Sequence, residues 1–219
     1  MGAVSDPTRP EAGGGRTGGG RPGERLGIFG GTFDPPHVGH LVTAVNVRHE
    51  LELDQVLLVV NDQPWQKLGT RDITPAADRL AMVEAAVGSV EGLAASSLEV
   101  DRGGMSFTAD TLATLLADQP DRQLFVILGS DAAAGLPTWQ RVDEVRSLAT
   151  VVVVDRPGTR GAEPPAGWSW VRVEVPRLEV SSTDLRARFA DGRPLDYLLT
   201  PDVIATAERR GLYRARVDS

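Results

Sequence analysis

The chain of 219 residues contains no cysteine, which excludes disulfide bridges, thiolate zinc sites and cysteine nucleophiles. It also lacks any run of about 18 apolar residues, so we expect no membrane-spanning helix. Lysine and arginine number 23 against 30 acidic residues, and the resulting net charge of −7 argues against a nucleic-acid partner. Small anionic ligands need only a few local cations and stay possible. We therefore expect a cytoplasmic protein with neither a membrane nor a nucleic acid as partner.

The first 25 residues contain eight glycines and three prolines and almost nothing apolar. Such a segment cannot bury enough surface to offset the entropy of ordering, so we expect residues 1–25 to be a disordered tail. It has no apolar core of a secretory signal. Residues 26–215 suit a single domain, because single α/β domains commonly reach 200 residues.

Short apolar runs alternate with helical patterns from Leu26 onward. The predicted strands are LGIFGG, QVLLVV, SLEV, QLFVILG, TVVVVDRP and WVRVEV. Runs that are apolar at every position, such as LLVV and VVVV, are typical of strands covered on both faces. The alternation therefore predicts an α/β fold with a doubly wound, mostly parallel sheet and helices on both faces.

Two helix starts carry capping signals. Thr74 precedes Pro75 at the start of one helical pattern, and Ser181 or Ser182 precedes another. A last helix is predicted to begin after Thr200, which a proline follows.

The stretch GIFGGTFDPPHVGH at residues 27–40 joins the end of the first strand to the start of the first helix. Ligands of open α/β sheets bind at such a strand end, and helix N-termini attract anions. Gly30 and Gly31 would let the backbone approach a ligand closely. His37 and His40 are three residues apart and share one helix face. The stretch therefore predicts a phosphate site.

Other interpretations of the same residues are open. Two glycines after a strand are common in plain turns. A metal site at His37 and His40 would have only two ligands, with no cysteine and no third histidine close by. The remaining histidine, His49, falls on the opposite helix face from His40, and we expect it to be exposed.

Five segments in order resemble a known family. GGTFDPPHVGH fits the GxFDPxHxGH pattern of the HxGH nucleotidyltransferase superfamily, and SSTDLR at 181–186 resembles its second signature, ISSTxIR. DRGGMSFTADTL, LGSDAAAGLPTW and VVVDRPG are similar to segments of the bacterial nicotinate mononucleotide adenylyltransferases. The resemblance runs from about Leu26 to Tyr213 and implies the Rossmann-like nucleotidyltransferase fold.

The resemblance implies adenylyl transfer from ATP to nicotinate mononucleotide. The products would be nicotinate adenine dinucleotide, for NAD biosynthesis, and pyrophosphate. Mg²⁺ would be the cofactor, bound through the ATP phosphates and with no ligand set of its own in the protein. The mononucleotide's phosphate oxygen is already anionic at neutral pH, so alignment and charge stabilisation would suffice for catalysis.

The resemblance also assigns site residues. Catalytic roles fall to His37, His40 and Arg186, with His40 at the α-phosphate. The residues implied in ATP binding are Gly30, Gly31, Thr32, Phe33, Lys67, Asp131, Ser182 and Thr183. Of these, Thr32 and Phe33 would also lie near the mononucleotide phosphate, and Asp131 would meet the adenosine ribose.

The mononucleotide would be held by three further residues. Trp139 would stack on the pyridine ring, backbone groups around Thr108 would meet its carboxylate, and Arg156 would contact the phosphate. Many relatives carry Pro-Pro-His-Lys after the second strand, whereas this chain has QPWQK at residues 63–67. Lys67 stays in register, the histidine is absent, and Trp65 could form a wall of the cleft.

Three rival functions share part of this pattern. Phosphopantetheine adenylyltransferase has the first motif but is shorter and lacks LPTW and DRPG. A class I aminoacyl-tRNA synthetase needs far more chain and a basic surface. A catalytically inactive nucleotide-binding sensor would keep the fold, but the presence of His37, His40 and Arg186 argues against it.

Overall fold

The computed structural model describes residues 22–63, 73–155 and 161–214, and within them six strands form one sheet. The strands are β1 (Arg25–Gly31), β2 (Gln55–Val60), β3 (Leu93–Ser96), β4 (Gln123–Gly129), β5 (Ala149–Asp155) and β6 (Trp170–Glu174). Every neighbouring pair is parallel, in the order β3-β2-β1-β4-β5-β6. The predicted doubly wound α/β fold is therefore confirmed. β1 begins one residue before the predicted domain boundary.

Helices connect the parallel strands and cover the sheet. They are α1 (Val38–Glu50), α2 (Ala76–Val87), α3 (Leu98–Arg102), α4 (Thr108–Asp118), α5 (Ser130–Ala134), α6 (Val142–Leu148), α7 (Ser182–Asp191) and α8 (Pro201–Arg209). A 3₁₀ turn spans Leu136–Thr138. One predicted cap is confirmed, because Ser181 Oγ accepts from the main-chain N–H of Asp184. The predicted last helix begins at Pro201, and Thr200 Oγ1 caps it by accepting from the main-chain N–H of Val203.

The core lies on both faces of the sheet, because alternate residues of a strand point to opposite sides. On one face the strands pack against Leu112 of α4 and Val145 of α6. On the other they pack against Val47 of α1 and Val83 of α2. This two-sided burial explains why the strand sequences are apolar at consecutive positions.

A third apolar cluster fixes α7, the helix that carries most of the second motif. It joins Met82 of α2, Leu185 of α7 and Val203 of α8, all of which are buried. The cluster holds the start of α7 against the rest of the domain, although α7 lies about 140 residues after the first motif.

Two local predictions are wrong. The segment SLEV at 97–100 is not a strand; β3 is the preceding Leu93–Ser96, and Leu98 and Val100 sit in α3 with their side chains against the two core clusters. An apolar pattern of four residues does not distinguish a strand from one helical turn. Thr74 does not cap α2, whose capping position is Pro75, and its main-chain oxygen instead accepts from Arg79 Nε at 2.7 Å.

A crevice opens where the strand order reverses, between β1 and β4. The two strands pair only as far as Ile28 opposite Val126, whereas β1 stays paired with β2 until Gly31. β4 meanwhile follows β5 to its end at Gly129. The carboxyl ends of β1 and β4 therefore diverge, and ligands of this fold class bind at such a point.

Candidate active site

Two clefts lie at this edge of the sheet, on opposite sides of the end of β1. The first, the tryptophan cleft, has a cavity volume of about 240 Å³ and is lined by Gly30, Thr32, Glu99, Thr108, Thr111 and Trp139, among others. The second, the histidine cleft, has a cavity volume of about 210 Å³ and is lined by Phe29, His37, His40, Gly129, Val175 and Leu178, among others. Seven of the sequence-predicted site residues line these clefts: Gly30, Gly31, Thr32, Thr108 and Trp139 the first, and His37 and His40 the second.

The tryptophan cleft brings together residues from three distant segments. Gly30, Gly31 and Thr32 come from the end of β1, Thr108 is the first residue of α4, and Trp139 follows the 3₁₀ turn. Trp139 packs its partly buried indole against the core and presents the remainder to the cleft. This is the arrangement predicted for the mononucleotide end, and the individual contacts stay predictions.

Glycines keep the mouth of each cleft open. A Cβ built on Gly129 would meet nothing within 4 Å, and one on Gly30 would reach only the side-chain nitrogen of Asn61 at 4.0 Å. The backbone at both positions therefore faces open space that a ligand can approach. Gly31 differs, because its Cβ would lie 2.8 Å from the Phe33 ring. Internal packing requires that glycine, whatever the ligand.

The two imidazoles of the first motif stack on one another at the start of α1. Their ring centroids are 3.8 Å apart with an interplanar angle of 25°. The main-chain N–H of His37 donates to His40 Nδ1 at 3.1 Å, so the hydrogen of a neutral His40 lies on Nε2. The Phe33 ring, buried and 5.0 Å from His40, meets it edge to face. His40 is thus held in one tautomer and one orientation.

His37 is uncharged at neutral pH, because burial lowers its pKa from 6.5 to about 4. Its Nδ1 is buried and has no hydrogen-bond partner among the described residues. A buried polar atom without a partner usually marks a place where a ligand or water completes the site. In the histidine cleft, His37 can therefore act as a hydrogen-bonding group, while a charge on it requires a nearby anion.

Gly39 explains the spacing of the two histidines. A Cβ at this position would lie 3.0 Å from His37 Nδ1 and 3.1 Å from a methyl group of Val180. Only glycine lets the His37 ring fold back across the start of α1 while the segment before α7 packs on its other side.

The main-chain amides at this helix start contribute less than the sequence suggests. The N–H of Val38 donates to Leu198 O at 3.1 Å, that of His40 donates to His37 O, and that of His37 is used by His40 Nδ1. All three amides are therefore already paired within the protein. Anion binding at this helix start therefore depends more on the imidazoles than on the first-turn amides.

The second motif packs directly on the first. Ser182 Oγ donates to Pro35 O at 2.9 Å, across 147 residues of chain. The Arg186 guanidinium donates to Asp34 O at 2.7 Å and to Thr183 Oγ1 at 3.3 Å. The starts of α1 and α7 are thus fixed side by side, as the two-motif prediction requires. The hydroxyl hydrogen of Ser182 is already engaged in this contact. The contact of Ser182 with the ATP phosphates stays a prediction.

A buried arginine ties the ends of β1 and β2 together. Arg79, 1% exposed, donates to the main-chain oxygens of Thr32 at 2.9 Å, Asn61 at 2.7 Å and Asp62 at 2.9 Å. These oxygens belong to the loops after β1 and β2. The guanidinium therefore sets the path of both loops that border the tryptophan cleft.

Comparisons with known proteins identify relatives of this chain. Residues 28–188 match the family of cytidylyltransferase-like domains. A protein of Corynebacterium kroppenstedtii named "Probable nicotinate-nucleotide adenylyltransferase" is 45% identical over 192 residues, which are 86% of this chain and 90% of that protein. A protein of the same name from Streptomyces coelicolor is 45% identical over 85% of this chain and 99% of its own length. This chain belongs to the nicotinate-nucleotide adenylyltransferase family.

A solved structure of a more distant protein shares the fold. Plasmodium falciparum nicotinic acid mononucleotide adenylyltransferase, complexed with NaAD, superimposes with a TM-score of 0.70 at 17% identity. The match covers 87% of this chain and 97% of that one. The topology of this adenylyltransferase is therefore that of a nucleotidyltransferase domain.

Three further site residues were predicted for the adenylyltransferase, and the structure describes one of them. Asp131 is exposed on the first turn of α5, between Gly129 of the histidine cleft and Ala132 of the tryptophan cleft. Lys67 and Arg156 lie outside the described residues, as does Trp65. His49 is exposed, as predicted.

Several residues of the site were missed from the sequence. Asn61 follows β2 directly, and the rule that strand ends carry ligand-binding groups could have found it. Glu99 was hidden because its segment was interpreted as a strand. Tyr213, whose hydroxyl donates to Asp34 Oδ1 at 2.7 Å, carries no local signal.

The described part of the chain lacks two features. No group of three or more histidine, aspartate or glutamate side chains there could hold a metal ion. No helix there is long and apolar enough to cross a membrane.

Proposed function

We propose that this adenylyltransferase transfers the adenylyl group of ATP to nicotinate mononucleotide, forming nicotinate adenine dinucleotide and pyrophosphate, as its relatives' names indicate. The observation that carries the proposal is the joining of the two motifs. Contacts from Ser182 and Arg186 to the main chain of Pro35 and Asp34 set the second motif beside the histidine cleft. The enzyme would act in the cytoplasm on small molecules.

The chemistry needs alignment more than proton transfer. An oxygen of the mononucleotide's 5′-phosphate forms a bond to the α-phosphorus of ATP. The bond from that phosphorus to the oxygen that bridges the α- and β-phosphorus atoms breaks, and pyrophosphate leaves with this oxygen. The attacking oxygen is anionic at neutral pH, so no base has to remove a proton. Negative charge builds up on the leaving pyrophosphate, and donors fixed beforehand around it lower the barrier.

His40 is suited to donate to that charge. Its Nδ1 is engaged by the main chain, so Nε2–H is the donor of the neutral ring, and Phe33 and His37 hold the ring plane. His37 would gain a proton more readily once an anion lies beside it, because the anion opposes the burial effect on its pKa. Arg186 would supply a permanent charge from the facing helix.

Mg²⁺ would be held by the triphosphate oxygens. The described residues offer no carboxylate cluster for it, and Mg²⁺ is commonly bound through substrate phosphates rather than a protein cage. When bound, the ion would neutralise charge on the leaving pyrophosphate. The indole of Trp139 and the N-terminus of α4 at Thr108 would receive the nicotinate ring and its carboxylate in the tryptophan cleft.

The test is a coupled measurement of both products. The purified chain is incubated with ATP, Mg²⁺ and nicotinate mononucleotide, and pyrophosphate and dinucleotide are quantified together. We expect equal amounts of the two. Parallel reactions with nicotinamide mononucleotide and with phosphopantetheine separate the substrates. ATP binding without pyrophosphate release would favour a sensor, and release only with phosphopantetheine would favour the rival enzyme.

A further inference from the structure

Glu99 is a buried carboxylate in the wall of the tryptophan cleft. It lies on α3 and is 4% exposed. Its Oε1 accepts from the hydroxyl of Thr111 at 2.6 Å, and its Oε2 accepts from the side-chain amide of Asn61 at 2.9 Å. Within residues 22–63, 73–155 and 161–214, no lysine, arginine or histidine forms an ion pair with it. Both of its donors are neutral.

A buried charge without a partner of opposite sign is costly, and proteins keep one only where something offsets that cost. Two neutral hydrogen bonds orient the carboxylate but leave its charge in place. A glutamine of the same shape could accept from Thr111 through its oxygen and, with the side-chain amide of Asn61 turned over, donate to the Asn61 oxygen. The negative charge is therefore not explained by packing, and it faces a cleft that a ligand can enter.

The proposed substrate carries the complementary charge. The pyridine nitrogen of nicotinate mononucleotide is bonded to the ribose, so the ring is a pyridinium cation. One of its ring carbons carries an anionic carboxylate. The cleft offers an indole face at Trp139, which attracts flat cations, and a helix N-terminus at Thr108, which attracts anions. Glu99 adds a full negative charge to the same enclosure.

We propose that Glu99 is the counter-charge for the pyridinium ring, so that the tryptophan cleft selects the oxidised, cationic ring over the neutral dihydropyridine of the same shape. Asn61 and Thr111 are positioning residues that hold the two carboxylate oxygens. The inference rests on the proposed function, because it takes the mononucleotide as the occupant of this cleft.

The test measures selectivity between two ligands that differ in ring charge. Dissociation constants are determined for nicotinate mononucleotide and for its 1,4-dihydro form, with wild type and with Glu99→Gln. We expect wild type to bind the cationic ring about ten- to a hundredfold more tightly. Glu99→Gln should bring the ratio close to one by weakening only the cationic ligand, with KM for nicotinate mononucleotide raised and kcat little changed.

Thr111→Val is the matched control, since it removes one donor to Glu99 and keeps the charge. It should retain the preference for the cationic ring. If Glu99→Gln lowers the affinity for both rings equally, the substitution has disturbed the shape of the cleft rather than its charge preference. The proposal is then wrong. If that variant does not fold, wild type decides alone: equal affinity for the two rings overturns the proposal.

The proposed function and the role of Glu99 are tested by different outcomes. If wild type forms no dinucleotide from nicotinate mononucleotide, the proposed function fails. If wild type is active but Glu99→Gln keeps the preference for the cationic ring, the function stands and the role of Glu99 is refuted.

Discussion

The phenol of Tyr213 donates a hydrogen bond of 2.7 Å to the carboxylate of Asp34, which lies 179 residues earlier in the chain and is 1% exposed. Burial raises the pKa of Tyr213, and the negative charge of Asp34 raises it further by a smaller amount. The phenol therefore stays protonated and remains a donor. The main-chain oxygen of Asp34 accepts from Arg186 at the same time. One residue of the first motif thus joins α7 and the segment after α8 to the active site.

Replacing Tyr213 by phenylalanine removes the hydroxyl and leaves the Asp34 carboxylate buried with one donor fewer. Hydrogen bonds to charged groups contribute about 1.5–3 kcal/mol, so we expect Tyr213→Phe to lower the free energy of unfolding by about that amount. Urea denaturation measures it. Tyr197→Phe is the control: Tyr197 is 93% exposed and its change should leave stability unaltered. Equal stabilities for the two variants would show that the Asp34 contact contributes nothing.

Replacing His40 by alanine removes the donor aimed at the charge that builds up during transfer. Loss of one such donor commonly lowers kcat by about 10²–10³, and we expect a decrease of at least that size with an unchanged melting temperature. His49→Ala is the matched control, because His49 lies exposed on the same helix. Initial rates of pyrophosphate release measure both variants. A near-normal rate for His40→Ala refutes the assignment.

Long continuous patterns were predicted well from the sequence. The strand QLFVILG was predicted at its observed bounds, Gln123–Gly129. Its length and the glycine at its end favour a strand over a helix. The four-residue strand Leu93–Ser96 has two alanines and one serine, which carry little strand preference, and it was missed. The same error hid the buried Glu99.

The sequence predicted that the two motifs come together at the site. It did not predict the hydrogen bonds that join them. Motif order indicates that the starts of α1 and α7 converge. It does not indicate that the Ser182 hydroxyl donates to Pro35 O, because a contact across 147 residues has no local signature. The lowered pKa of His37 likewise depends on burial in the folded protein, which the local sequence does not indicate.

Adding a methyl group at Gly39 should disturb catalysis more than folding. Alanine favours a helix over glycine by about 1 kcal/mol, yet its Cβ would lie 3.0 Å from the His37 ring. We expect Gly39→Ala to displace that ring and to lower kcat/KM at least about tenfold, which corresponds to about 1.4 kcal/mol. Melting temperature and initial rates are compared with Gly88→Ala, at the end of α2 and remote from both clefts. If Gly39→Ala retains full activity, the His37 orientation is unimportant.

His37 makes the stability of the protein depend on pH in a defined window. Its pKa is about 4 in the folded protein, because of burial, and 6.5 for an exposed imidazole. Between these values the unfolded chain binds more protons, so stability increases with pH there. The stability that comes from keeping His37 neutral is fully present above pH 6.5. As the pH falls toward 4, the free energy of unfolding decreases on this account by up to about 3 kcal/mol.

The substitution His37→Gln keeps a polar side chain at this position but removes the titrating imidazole. The free energy of unfolding of both proteins, measured by urea denaturation from pH 4 to 8, should therefore run parallel above pH 6.5 and decrease more steeply for wild type below it. Parallel curves throughout would mean that the imidazole is not protonated on unfolding in this window, and that His37 is already accessible to water in the folded protein.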